Sequence, residues 1–166
     1  MTRRLIVMRH AKSSWNSPAP RDHDRPLNKR GRASAPAIAA WLTRNQWLPD
    51  EVLCSSALRT QETWQRTGLS AAKTRIIPAL YHAEAEVMLD ILSEATGATV
   101  LMLGHNPGIA DFADRIAAKA PQHSRFFDYP TGATTVLEFD IADWSDIRWR
   151  SGQVLGFAIP RELLPE

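Results

Sequence analysis

Four side chains from three places in the chain can act together on an anion: Arg9 and His10, Arg59, and His105. The first pair closes "LIVMRH", where four apolar residues run straight into two cation-capable groups. Arg59 lies in "SSALRTQET", and His105 follows the apolar run "TVLML". Each therefore comes just after a strand-like segment. Two guanidiniums offer planar forks of donors matched to phosphoryl oxygens, and both stay charged at any working pH. A histidine among such cations is held neutral, because a neighbouring positive charge disfavours imidazolium. Neutral imidazole is a nucleophile. The chemistry this set suits is phosphoryl transfer to His10, with Arg9, Arg59 and His105 holding the charge on the equatorial oxygens. A lone His or Arg at a strand end is usually a solvated surface residue. The coincidence of three equivalent positions carries the signal.

The elements that must deliver these groups are legible as alternating patterns. Short apolar or β-branched runs at 4–8, 51–55, 74–78, 99–103, 133–139 and 154–159 read as strands. Between them, Ala35, Ile38, Ala39 and Leu42 fall on one helix face, as do Met88, Ile91, Leu92 and Ala95, and then Ile109, Phe112, Ala113 and Ile116. Pro36 sits inside the first pattern, so that helix starts late or kinks there. "KRGR" (29–32) reads as a helix start with a solvated basic face. The alternation predicts an α/β fold, a three-layer α/β/α sandwich on about six mostly parallel strands. Ligands of such sheets bind beyond the carboxyl ends of the strands, where Arg9, His10, Arg59 and His105 would gather. A helix following the first or second strand would add a positive dipole end. The stretch at 120–132 reads as the longest irregular segment.

Composition removes several function classes. The 166 residues suggest one domain spanning 1–166, with no repeat and no linker. Net charge is only +2, too mild and too evenly spread to argue for nucleic acid or an anionic membrane. No apolar run approaches the roughly 20 residues that span a bilayer, and no signal-peptide core follows the N-terminus, so a cytoplasmic location is expected. Cys54 is the only cysteine, its place in "EVLCSS" suggests a buried strand position, and it reads as an inert core thiol. His10, His23, His82, His105 and His123 show no HExxH or HxH spacing, and two arginines would repel a divalent cation, so no metal and no cofactor are expected. A non-enzymatic phosphate-binding module is the remaining rival, and the presence of His10 speaks against it. Trp41, Trp47, Trp64, Trp144 and Trp149 read as packing residues, and His23 and His123 as solvated loop residues. His82 is placed at the rim.

"RHAKSSWN" resembles the signature RHG-[EQ]-S-x-W-N of the histidine phosphatase superfamily, which includes the cofactor-dependent phosphoglycerate mutases. Arg9, His10, Ser13, Trp15 and Asn16 match it, while Ala11 replaces the glycine and Lys12 the acidic or amide residue. "SSALRTQET" is similar to the second motif, with its phosphate-binding arginine at Arg59, and "LGHNPG" to the third, with the second catalytic histidine at His105. "DHDRPLNKRG", "PTGATTVLEFD" and "AIPREL" extend the likeness to the small SixA-type phosphohistidine phosphatases. The resemblance implies the histidine phosphatase fold, His10 as the transient phosphohistidine, Asn16 as a phosphate-pocket residue, and Asp22 and Asp24 near the site. Either aspartate can orient an arginine or position a water; a structural loop role is the alternative.

The interval from Arg59 to His105 accommodates a helix, a strand and a helix, with no room for the lid of larger relatives. An uncovered site suits a phosphorylated protein, with a two-component phosphotransfer domain as the family expectation; a small phosphate ester is the alternative. Mutase-like members place a glutamate after the third strand and the following leucine, to protonate a departing alkoxide. Here Tyr81 follows Leu80, and Glu84 and Glu86 are the nearest carboxylates. Glu84 is the candidate acid.

Overall fold

The computed structural model describes residues 1–16, 18–19 and 21–165. Six strands form one sheet: β1 (Arg3–Arg9), β2 (Glu51–Ser55), β3 (Lys73–Ile77), β4 (Thr99–Gly104), β5 (Thr134–Phe139) and β6 (Gln153–Ala158). Their spatial order is β3-β2-β4-β1-β5-β6. β1 to β4 run parallel, β5 is antiparallel to β1, and β6 is antiparallel to β5. β5 alone is reversed, so the sheet is mostly parallel.

Both faces of the sheet are covered, which explains the unbroken apolar run in β1. Leu5 and Val7 point into one core, with Phe112, Met88 and Leu92 from helices α3 (Ala85–Ser93) and α4 (Gly108–Ile116). Ile6 and Met8 alternate to the other face and meet Ile38 and Leu42 of α1 (Lys29–Arg44). The strand period of two thus sorts consecutive apolar residues into two cores. Helix α2 (Leu58–Thr67) and the short α5 (Pro160–Leu163) lie against α1. The result is the expected three-layer sandwich, and no helix among the described residues is long and apolar enough to cross a membrane.

Helix α1 begins at Lys29 and continues through Pro36, which rules out a start after the proline. The Asn28 side chain caps it by accepting from the Gly31 amide. Burial of Ala35, Ile38, Ala39 and Leu42 offsets the hydrogen bond that Pro36 cannot donate. The irregular segment at 117–133 is the longest run between named elements, as expected. The connection from His10 to Asn28 carries a 3-10 turn at Asp22–Asp24 and a bridge between Ser13 and Leu27. Cys54 is fully buried, and burial pushes its thiol up to about 12. It is inert at working pH.

Candidate active site

The carboxyl ends of β1, β2 and β4 are neighbours in the sheet, and the four residues singled out above converge there. Arg9 ends β1, and its partner across the ladder is Gly104, the last residue of β4. The next residue on each side, His10 and His105, bring their rings to a centroid separation of 5.3 Å. Arg59 is the second residue of α2 rather than a full turn into it, so its backbone shares the N-terminal end of that helix. The four side chains line one pocket of about 300 Å³, together with Ser13, Asp22, Arg25 and His82.

Local contacts fix each group. The His10 ring nitrogen Nδ1 lies 2.7 Å from the Ala11 carbonyl oxygen. A carbonyl can only accept, so Nδ1 carries the hydrogen and Nε2 keeps its lone pair. The Ala11 amide donates to Thr63 Oγ1 and the Gly132 amide to the His10 carbonyl, pinning the turn on both sides. Arg9 donates through Nη1 to the Tyr129 carbonyl, and Tyr129 is itself held by its hydroxyl on the Val7 carbonyl. Ser55 Oγ accepts from the Ala57 amide and lies 2.7 Å from His105 Nε2. The Ser55 hydroxyl hydrogen has no other acceptor among the described residues, so donation to Nε2 satisfies it, and in that arrangement the hydrogen of a neutral His105 sits on Nδ1.

Asp22 organises the arginines. Its carboxylate accepts from Arg59 Nη2 at 3.0 Å, Arg25 Nε at 3.0 Å and the Tyr81 hydroxyl at 2.5 Å, while its backbone carbonyl accepts from Arg59 Nη1 at 2.8 Å. Arg25 also donates to Ser13 Oγ and stacks on Trp15, 3.7 Å from the ring centroid. Although burial opposes it, these donors and cations hold the Asp22 carboxyl well below its ordinary range. Asp22 is thus the brace that holds Arg59 and Arg25 in place.

The electrostatics favour uncharged imidazoles. Burial, with Arg9, Arg59 and Arg25 adding to it against the Ala11 hydrogen bond, lowers His10 to about 3. Burial and then His10 and Arg59 lower His105 to about 2. The site also collects unsatisfied polar atoms. Among the described residues, five buried side-chain polar atoms lack a partner, and four of them belong to this cluster: Arg9 Nε, Arg59 Nε, His105 Nδ1 and Asn106 Oδ1. Arg9 Nε and Arg59 Nε are donors, as is His105 Nδ1 in the tautomer above. Buried donors without partners are costly in isolation, and an anionic ligand relieves that cost. Asn106 Oδ1 is an acceptor, which an anion does not satisfy.

Two expected residues stand elsewhere. Asn16 is exposed and does not line the pocket, because the turn presents Ser13 and Trp15 instead. Glu84 is exposed at the N-cap of α3 and lines, with Glu86, Asp111 and Arg115, a neighbouring groove that meets the pocket only at His82. It is not among the groups around His10, and Glu86 is paired with Arg115 at 2.8 Å. The ring that does reach the pocket from this segment is His82, whose Nε2 lies 3.4 Å from Arg59 Nη2 and 3.5 Å from Asp22 Oδ2. Arg25 went unassigned by the sequence reading. Its signal was the i, i+3 spacing from Asp22 in "DHDR".

With this geometry established, similarity to known proteins decides the family. A profile of the histidine phosphatase superfamily (branch 1) matches residues 5–84. An uncharacterized protein of Mycobacterium tuberculosis is 33% identical, covering 93% of this chain and 100% of its own length. The chain belongs to the histidine phosphatase superfamily. An uncharacterized chloroplastic protein of Arabidopsis thaliana is 37% identical over 70% of this chain, and the match covers only 60% of that longer relative. Among solved structures, one from Nakamurella multipartitia described as a phosphohistidine phosphatase SixA superposes with a TM-score of 0.84 at 28% identity, covering 96% of this chain and 97% of that one. A second SixA structure, from Agrobacterium tumefaciens, gives 0.75 at 28% identity, with coverages of 95% and 99%. The SixA-type histidine phosphatase fold, without a lid insertion, is thus this chain's fold.

Proposed function

We propose that this protein is a phosphatase that passes the phosphoryl group through His10, and that its substrate is phosphohistidine on a protein. Family membership supports the phosphatase class. The observation that carries the mechanism is the His10 ring: Nδ1 is committed to the Ala11 carbonyl, so the unprotonated nitrogen is the Nε2 that the pocket leaves for phosphorus. In the first step the Nε2 lone pair forms a bond to phosphorus while the bond to the leaving atom breaks. Arg9, Arg59 and His105 Nδ1–H stabilise the three equatorial oxygens. In the second step water attacks phosphorus as the P–Nε2 bond breaks, its proton passes to the His82 ring that gave one up in the first step, and His10 regains its lone pair.

The leaving atom must take a proton, and the solvent-facing His82, which lines the pocket beside Asp22, is placed to carry it. A serine-type alkoxide depends heavily on such an acid. A departing imidazole depends on it less, because its nitrogen can be protonated before the P–N bond breaks. Transfer from a phosphorylated histidine to His10 is then nearly symmetric, which favours P–N over alkyl P–O substrates.

Trapping tests this reading. Wild type quenched during turnover should carry acid-labile, base-stable phosphate, and His10→Ala should carry none. Exhaustive chelation should leave the rate unchanged, since arginines and imidazole supply the positive charge; a rate restored only by added Zn²⁺ or Mg²⁺ would refute that. A phosphohistidine protein should exceed p-nitrophenyl phosphate in kcat/KM, and a phosphoserine peptide should fall below both. Faster turnover of a small phosphate ester than of the phosphohistidine protein would move the substrate assignment to metabolites.

A further inference from the structure

A second hollow of about 230 Å³ adjoins the His10 pocket, and Lys12 and Thr131 line both. Its other charged residues are Arg30 on α1, Arg125 on the connection to β5, and Arg161 on α5. Four cations meet there without one lining carboxylate. The chain as a whole has 20 basic and 18 acidic residues, so this segregation is local. The carboxylates nearest in sequence are engaged: Asp128 with Arg125 at 3.0 Å, and Glu162 with His123 at 3.0 Å. The side chains of Lys12, Arg30 and Arg161 make no hydrogen bond or ion pair among the described residues. Unpaired like charges around one hollow repel one another, and an anion seated between them relieves that repulsion.

We infer that this hollow receives acidic side chains that flank the phosphorylated residue of a protein substrate. The shared Lys12 and Thr131 set the two depressions side by side, so one extended ligand can place its phosphoryl group at His10 and a carboxylate beyond Lys12. A protein fits better than a small bisphosphate because the surroundings have interface character. Trp15 is 79% exposed and Phe127 61% exposed, one on each of the two connections that line the hollow. Exposed aromatics beside arginines mark protein contacts. The inference rests on the phosphatase reading above, and on the phosphohistidine assignment only for the identity of the phosphorylated residue.

Three probes and one variant separate the possibilities. The variant is Arg30→Glu combined with Arg161→Glu, both surface residues outside the His10 pocket. The probes are a phosphohistidine peptide with aspartates on either side, the same peptide with serines instead, and the unphosphorylated aspartate peptide as an inhibitor of p-nitrophenyl phosphate turnover. At low salt, wild type should prefer the acidic phosphopeptide by about 10-fold in kcat/KM, the scale of two or three exposed ion pairs. The variant should lose that preference yet hydrolyse p-nitrophenyl phosphate at the wild-type rate, which also shows that it is folded. The unphosphorylated acidic peptide should inhibit wild type competitively and the variant far less. Equal turnover of the two phosphopeptides by wild type would overturn the inference, as would inhibition by inorganic pyrophosphate but not by the acidic peptide. If neither phosphopeptide is cleaved while p-nitrophenyl phosphate is, the phosphohistidine assignment fails on its own. The inhibition arm then decides the hollow: inhibition lost in the variant supports it, and absent inhibition sinks it.

Discussion

In the proposed mechanism His10 is the nucleophile and His82 the proton carrier, so substitutions at each should leave different signatures. His10→Ala removes the atom that bonds phosphorus, so turnover and phosphoenzyme should vanish together. Arg59→Ala and His105→Ala each remove one preorganised donor, and kcat should fall about 100–1000-fold while the phosphoenzyme stays detectable. A loss below tenfold in either would remove that residue from the oxyanion set. His82→Ala should depend on the leaving group. A positioned acid contributes on the order of 100–10,000-fold when the departing oxygen is strongly basic. The phosphoserine peptide should therefore lose far more kcat/KM than p-nitrophenyl phosphate, whereas Glu84→Gln should leave their ratio unchanged, since Glu84 lines a different groove. If Glu84→Gln shifts the ratio and His82→Ala does not, the roles are reversed.

At the scale of elements, the strands and the histidine and arginine at their ends were legible, and the connections were not. β1, β2 and β4 are continuous apolar runs because both sheet faces are covered, and such runs announce themselves without any tertiary information. Arg9, His10, Arg59 and His105 could then be placed by topology alone. Pro36 misled because a local penalty was weighed without the buried face that outweighs it. Asn16 is placed by its position in a motif and Glu84 as one of the carboxylates nearest to Leu80, yet where their side chains stand depends on connections whose course is set by long-range contacts. One such contact is the approach of α4 to the segment carrying His82. A side chain on Gly108 would meet the Ala83 carbonyl oxygen at 1.8 Å, so only glycine lets the helix start there. Gly108→Ala should push residues 82–84 away, lowering thermal stability by about 1–3 kcal/mol of overpacking strain. Activity on the phosphoserine peptide should fall more than activity on p-nitrophenyl phosphate, because His82 moves while His10 does not. An unchanged Tm with unchanged kinetics would show that the packing there is looser than the geometry requires.

For the whole molecule, keeping two imidazoles neutral has a consequence far from catalysis. In the unfolded chain a histidine titrates near 6.5, whereas folding lowers His10 to about 3 and His105 to about 2. Between pH 6.5 and pH 3 the unfolded state therefore binds more protons than the folded one, and stability rises with pH across that window. The contribution is complete above pH 6.5 and drains away on acidification. By pH 4 the loss from the two rings together is on the order of 7 kcal/mol, a large share of an ordinary domain's stability. Asp22 acts in the same direction but lower, since a depressed carboxyl loses its contribution only as pH falls past its unfolded value. The histidine window can thus be read above pH 4, before the carboxylate enters. Urea midpoints between pH 7 and pH 4 should fall steeply in wild type and much less in a His10→Asn, His105→Asn double variant, which carries no titrating ring at either position. Parallel slopes in the two proteins would mean that the rings protonate in the folded state as readily as in the unfolded one. His10 would then be largely cationic at mildly acidic pH, and the neutral nucleophile would be lost.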